Sequence, residues 1–270
     1  MILVEREQPS HWYLRSGAPF HTVARADGNG DRPVTVRDAR KVGALPSVTN
    51  KLSVMAKPGL NAWHVEQGIL ASLTLPRLPG ESEDAFARRV AADASEQSKA
   101  AMGTGSAVHA AIEAYAKSLT PPPDDLMPML LPFIEWWRAN VRGVEALEVV
   151  CVNAADGYAG RADCVAVVGG KVTLLDFKTQ TAKDGKPSWY ETWPLQLEAY
   201  ARAYRGFRDI EAIASVVIPT TPGKAGCHVR VWPQDERDGY WRAFQAACEL
   251  WRYVKGYDPR RQQDGKDGAA

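Results

Sequence analysis

The sequence predicts an α/β protein, a mixed β-sheet flanked by helices, with a helical and small β elaboration on its N-terminal side. Three observations carry this. Apolar periodicity from residue 126 to 254 runs helix, strand, strand, strand, helix, strand, strand, helix, an alternation that suits a sheet with helices packed on it. Two runs rich in Val, Leu and Ala flank Gly169-Gly170, a pair able to supply the positive φ angles of a two-residue hairpin turn. The apolar residues of this hairpin point both ways, as in central strands covered on both faces.

Taken in order, residues 1–45 mix short alternating runs, Trp12-Tyr13-Leu14 and Val34-Thr35-Val36, with the turn-prone Asp27-Gly28-Asn29-Gly30-Asp31, and read as a small β elaboration. The pattern then turns helical, with Leu60, Trp63, His64 and Gln67 at helical spacing and an Ala-rich segment over 82–102, the two punctuated by Pro76, Pro79 and Gly80. Gly103 and Gly105 are expected to break that segment, so that Thr104 or Ser106 caps a fresh helix carrying His109 and Glu113. Pro121-Pro122-Pro123 makes a rigid connector, and residues 126–141 form a helix whose Trp136-Trp137 pair belongs in the core. A strand over 147–152 precedes the hairpin. Lys183-Asp184-Gly185-Lys186 is a polar loop that reads equally as a phosphate contact or a solvated turn. Residues 193–204 are a helix, Val216-Val217-Ile218 and Val229-Arg230-Val231 are strands, and 236–254 is a long amphipathic helix. From Tyr257 onward the mixed-charge composition predicts a frayed tail. The expected organisation is therefore 1–45 as the elaboration, 46–256 as the main domain and 257–270 as a disordered tail.

Composition bounds the function. In 270 residues, 33 Lys and Arg face 32 Asp and Glu, so no overall basic field advertises a nucleic acid and any such contact must rest on a local patch. Cys151, Cys164, Cys227 and Cys248 are scattered without a C-x-x-C pair, which predicts reduced thiols and no iron–sulfur or zinc site. The first residues lack a signal-peptide layout and no apolar run is long enough to span a bilayer, so a cytoplasmic protein without membrane contact is expected.

The hairpin also carries the charges. With Gly169-Gly170 as the central turn residues, Val168 pairs with Lys171 and the same register sets Asp163 opposite Asp176. Directly opposed carboxylates repel, and Lys178, two residues beyond Asp176, shares its face. Buried charges need pairing or a metal ion. A divalent cation between the two aspartates is one compensation; a structural ion pair from Lys178 to one aspartate, with the other in water, is the alternative. His109, Ile112, Glu113 and Ala116 share one helix face. That face either points at the carboxylates or carries an exposed His–Glu pair.

Asp163 followed by Asp176-Phe177-Lys178 after a glycine hairpin resembles the signature of the PD-(D/E)XK nuclease superfamily. Gly105-Ser106-Ala107-Val108-His109-Ala110-Ala111-Ile112-Glu113 is similar to the G-x-x-x-H-x-x-x-E helix of its RecB-type and phage-exonuclease branch, and Gln196-Leu197-Glu198-Ala199-Tyr200 to its Q-x-x-x-Y helix. Leu45-Pro46-Ser47-Val48-Thr49, with Trp63 downstream, looks like the N-terminal region of phage exonucleases. The resemblance spans residues 45 to 205 and departs at Arg161-Ala162, where the name-giving proline would stand. It implies a restriction-endonuclease-like sheet with the site at one end, and a metal-dependent DNA exonuclease of phage or prophage recombination. Asp163, Asp176, His109 and the Phe177 carbonyl would hold Mg²⁺ or Mn²⁺, with Glu113 and Glu148 as additional candidates. Lys178 would orient or deprotonate water, while Gln196 and Tyr200 would position Lys178 or a phosphate. Linear duplex DNA ends and a single-strand annealing protein are the implied partners, with room for a homo-oligomer, in a bacterial host cell. A structure-selective or site-specific endonuclease is the alternative within this class, and a non-catalytic DNA-end or partner-binding module the alternative outside it.

Overall fold

The computed structural model describes residues 11–56, 58–181, 186–206, 209–221 and 223–261. The N-terminal part begins with β1 (Trp12–Tyr13) and the hairpin of β2 (Thr22–Ala24) and β3 (Asp31–Pro33), whose connection carries Gly28 and Gly30 at positive φ. α1 (Val36–Val42) follows, a helix where the Val34-Thr35-Val36 alternation suggested extended chain. Its ends explain the difference. Thr35 and Asp38 form a reciprocal capping box, Arg32 Nη1 donates to Asp38 Oδ2 at 2.6 Å, and Gly43 closes the helix at φ 64°. β4 (Leu45–Pro46) then pairs with β1, Trp12 opposite Pro46 and Tyr13 opposite Leu45, so the boundary expected after residue 45 falls inside a paired strand.

A helical stretch comes next: α2 (Val48–Lys51), a 3₁₀ turn over Leu52–Val54, α3 (Pro58–Thr74), α4 (Glu83–Ser118) and α5 (Met127–Asn140). α4 corrects the expectation of a break. It is capped by Ser82, whose side chain accepts from Ala85 N, and it passes through Gly103 and Gly105 without interruption. An interior glycine costs about 1 kcal/mol relative to alanine, too little to end a helix with tertiary partners on both sides. Gly105 also has a packing reason: a Cβ there would lie 3.0 Å from Thr179 Oγ1.

The sheet is built by β5 (Val141–Asn153), β6 (Tyr158–Val168), β7 (Lys171–Gln180), β8 (Ala212–Pro219) and β9 (His228–Val231), ordered β5-β6-β7-β8-β9. α6 (Thr192–Ala203) is the crossover that makes β7 and β8 parallel, and the other neighbours are antiparallel. α7 (Arg237–Lys255) closes the chain after a 3₁₀ turn over Gln234–Glu236. The sheet is thus mixed and covered on both faces, as the two-sided apolar pattern predicts. Val165, Val172, Leu174, Ile213 and Val217 pack with Leu197 and Tyr200 of α6 and Phe244 of α7. Alternate residues Cys164, Ala166, Leu175, Phe177 and Val216 pack with Val108 and Ile112 of α4 and with Phe133 and Trp137 of α5.

One segment assigned to the tail is not frayed. Tyr257 is buried, its ring 6.2 Å from that of Trp12 and 6.3 Å from that of Trp251, and its hydroxyl donates to the Ala44 carbonyl at 2.9 Å. Composition alone does not reveal this because an isolated aromatic in a polar stretch finds its partners through distant segments. Residues 262–270 of the expected tail lie outside the described residues.

Candidate functional site

The β6–β7 hairpin has the expected register, Val168 with Lys171 down to Cys164 with Leu175, around Gly169 and Gly170 at φ 55° and 84°. Pairing stops one step short of Asp163 and Asp176. In an unbroken ladder the Phe177 amide would bond across to the β6 backbone. Instead it donates to Asp163 Oδ2 at 2.7 Å, so a carboxylate takes the place of a main-chain carbonyl. The other side of β6 is interrupted at the same level: Leu147 pairs with Cys164 and Val149 with Ala162, leaving Glu148 and Asp163, which that register sets opposite one another, outside the pairing. Glu148 has φ 49°, an uncommon conformation for a residue with a side chain. Glu148, Asp163 and Asp176 therefore stand in one row across three strands.

The row is electrostatically strained. Burial raises the Asp163 pKa above the usual carboxylate range, and the Asp176 charge raises it further; Lys178 and the Phe177 amide pull it back only in part. Asp176 is 2% exposed, and its Oδ2 lies 2.7 Å from Lys178 Nζ while making no aligned hydrogen bond among the described residues. Burial works against the Lys178 charge, but Asp176 and Asp163 outweigh it and hold that pKa above the usual lysine value. Lys178 stays protonated, and its side chain retains 23% exposure, so it is reachable from solvent.

α6 supplies the layer behind these charges. Gln196 Nε2 donates to Asp176 Oδ1 at 3.2 Å and to the Tyr200 hydroxyl at 3.4 Å, while Gln196 Oε1 accepts from Lys178 Nζ at 3.4 Å. One amide thus orients both members of the ion pair. Burial, then the Asp176 charge, raises the Tyr200 pKa well above its usual value, so the phenol keeps its proton. Tyr200 fits only because residue 160 is glycine, where a Cβ would lie 2.5 Å from Tyr200 Cε1. Trp193, one turn before Gln196, brings its ring centroid to 6.0 Å from Lys178 Nζ.

α4 contributes from the opposite face of the sheet. His109 is partly buried, and its pKa is lowered first by burial and then by the Lys178 charge, so the imidazole is neutral near pH 7. Burial raises the pKa of Glu148, Arg161 opposes this through a 2.7 Å ion pair, and the charge of the exposed Glu113 adds a smaller upward push. The site thus gathers Asp163, Asp176, Lys178, Gln196 and Tyr200 by contact, with His109, Glu113 and Glu148 at its edge. Arg161, Gly160 and Trp193 are its unforeseen members. The strand position of Arg161, two residues before Asp163 and on the same face, was the available signal for the first of them. Lys183, Asp184 and Gly185 of the expected polar loop lie outside the described residues.

Among the described residues, no three His, Cys, Asp or Glu side chains converge closely enough to enclose a metal ion by themselves. A buried Asp176 beside a half-buried Asp163 whose pKa it helps to raise, with one Asp176 oxygen lacking an aligned donor, nevertheless fits a hard dication that completes its shell with water or substrate oxygens. The donor set does not suit a closed four-ligand cage.

No protein-family model matches the chain, and no curated protein matches it. Among solved structures, the crystal structure of SSO0001 is similar at 19% identity with a TM-score of 0.29, covering 52% of this chain and 64% of that one. A likeness of that extent carries no argument about fold family or activity.

Proposed function

We propose that the chain is a divalent-metal-dependent deoxyribonuclease of the PD-(D/E)XK type, with exonucleolytic attack on linear duplex ends as its activity. The observation that carries this reading is the juxtaposition of Asp163, Asp176 and Lys178 where the β6 and β7 ladder parts. Nothing in a purely structural salt bridge requires a second carboxylate in place of a ladder carbonyl, or an amide shared between lysine and aspartate.

Asp163 and Asp176 would hold Mg²⁺ or Mn²⁺, which when bound polarises a phosphoryl oxygen and lowers the pKa of water. The chain's own groups do the rest. Lys178 Nζ, kept charged by the two aspartates, donates toward a phosphate oxygen or an attacking water and offsets the negative charge that grows there. Gln196 holds Lys178 and Asp176 in register so that neither rotates away. Tyr200 keeps its proton and anchors the Gln196 amide. His109, neutral at pH 7, offers an imidazole nitrogen at the rim.

The test is degradation of end-labelled linear DNA by the purified protein with Mg²⁺ or Mn²⁺, compared with circular DNA and with chelator present. Loss of label from linear DNA alone fits an exonuclease; cutting of circles assigns the endonuclease reading instead. Asp176→Asn and Lys178→Ala are expected to lower the rate by about a hundredfold to ten-thousandfold with an unchanged circular-dichroism spectrum. Full activity in either variant sinks the assignment, and DNA binding without cleavage by the wild type favours a non-catalytic end-binding module. His109→Ala is expected to retain activity while changing the ratio of Mn²⁺- to Mg²⁺-supported rates, because imidazole suits Mn²⁺ better.

A further inference from the structure

We propose a second, anion-binding site for a phosphate-bearing small ligand, in the cleft between α1, the C-terminal end of α7 and the segment that follows it. The cleft has a volume of roughly 570 Å³ and is walled by Arg40, Arg252, Arg260 and Arg261 against the carboxylates of Glu249 and Asp258. Positive charge is in excess. Asp258 is shared by Arg260, at 2.8 Å, and Arg261, at 3.7 Å, while Glu249 is shared by Arg252 and Arg260. Three guanidinium groups divide two carboxylates, and Arg40 adds a fourth positive charge to the wall.

Buried donors without acceptors point the same way. Arg252 is 10% exposed, lines the cleft, and its Nε has no hydrogen-bond partner among the described residues. Beneath it, Lys51 is fully buried with Nζ 4.0 Å from the Trp251 ring centroid and likewise unpartnered. Burial is the main cause that lowers the Lys51 pKa; Arg252 and Arg260 add to it from the cleft wall, while Cys248 and Asp258 oppose them. Buried donors without acceptors are costly, and a negative charge in the adjoining cleft offsets the positive charge that Arg252, Arg260 and Lys51 crowd together. The carbonyl end of α7 would otherwise repel such an anion. Arg40 Nη2 covers it, donating to the Gly256 carbonyl at 2.8 Å. Guanidinium forks match the oxygens of phosphate, and the volume leaves room for a nucleoside beside the phosphate.

This site is distinct from the acidic row. Its wall reaches the turn before β6, where a Cβ on Gly157 would lie 2.8 Å from Pro259 Cγ. Asp163 is six residues further along the strand, about 20 Å away at roughly 3.3 Å per residue.

The test is a titration of the full chain with inorganic phosphate and with a deoxynucleoside monophosphate, at ionic strength matched with chloride and with chelator present. Tryptophan fluorescence, to which Trp251 beside the cleft is one of nine contributors, and the melting temperature are the readouts. Saturable changes in both are expected, weakened at least tenfold in Arg252→Gln and several-fold in Arg261→Gln, whose side chain is 85% exposed. Equal affinity for the two ligands identifies phosphate alone as the occupant, and tighter nucleotide binding identifies a nucleotide; either supports the site. Should Arg252→Gln fail to fold, Arg40→Gln and Arg261→Gln decide. No saturable change with either ligand, or unchanged affinity in the variants that fold, overturns it.

Discussion

The two oxygens of Asp176 have different tasks. Oδ1 accepts from the Gln196 amide, while Oδ2 faces Lys178 Nζ at 2.7 Å without an aligned hydrogen bond. Such an atom is costly to bury unless a cation shares it. Lys51 presents the inverse problem, a buried ammonium that faces the Trp251 ring and has no hydrogen-bond acceptor among the described residues. Burial, the largest cause, lowers its pKa from 10.5 to about 8, which corresponds to about 3 kcal/mol of lost stability. Below pH 8 the folded and unfolded chains both carry the proton, and the full cost is present. Between about pH 8 and 10.5 the folded chain sheds a proton that the unfolded chain retains, so wild-type stability gains a rising contribution there. Lys51→Met is therefore expected to stabilise the protein at pH 7 by about 1–3 kcal/mol, less the lost cation–π contact, and to remove the alkaline rise. Denaturant melts from pH 7 to 10 check this; an unchanged alkaline rise in the variant rejects it.

Among the secondary-structure elements, α4 is the one whose continuity matters most to the site. It carries His109 and Glu113 on a helix that starts at Ser82, so the position of the imidazole is set by a rod anchored far from the sheet. Its two glycines differ in kind. A Cβ at Gly103 meets nothing within 4 Å among the described residues, whereas one at Gly105 lies 3.0 Å from Thr179 Oγ1, one residue past Lys178. Gly103→Ala is expected to raise stability by about 1 kcal/mol with unchanged DNA degradation. Gly105→Ala is expected to cancel that gain by pushing α4 away from the end of β7, and to lower activity. Chemical denaturation and the linear-DNA assay on both variants test the contrast, which equal behaviour would contradict.

Across the whole molecule, the N-terminal elaboration and the chain's far end are fastened together rather than appended. Trp12, Val34, Ala39 and Ala44 share a cluster with Trp251 and Tyr257, and Arg15 Nη2 donates to the Pro259 carbonyl at 2.6 Å. Tyr257→Ala opens a cavity at this junction and is expected to cost about 3–5 kcal/mol, a large part of the 5–15 kcal/mol typical of a folded domain. Tyr257→Phe keeps the ring and loses only the hydroxyl's bonds to the Ala44 and Ala39 carbonyls, and is expected to cost about 1 kcal/mol. Thermal or urea unfolding measures both, and a near-neutral Tyr257→Ala would mean that this junction does not hold the fold together. The molecule thus has an acidic row across the middle of β6 and an arginine-walled cleft beyond that strand's N-terminal end.

What the sequence determined by itself was local. A Gly-Gly turn able to take two positive φ angles fixes the pairing of the residues around it, so the β6–β7 register, and with it the nearness of Asp163, Asp176 and Lys178, could be read directly. The same holds for the two-faced burial of the strands and for the helices with apolar periodicity. Only the tertiary structure decided that the ladder parts at Asp163, that Glu148 takes φ 49° beside it, that Gly160 admits Tyr200, and that Tyr257 is buried. Turn geometry and periodicity act over a few residues. Desolvation, repulsion between carboxylates and the space beside a glycine are set by segments remote in the chain, which only the packed molecule brings together.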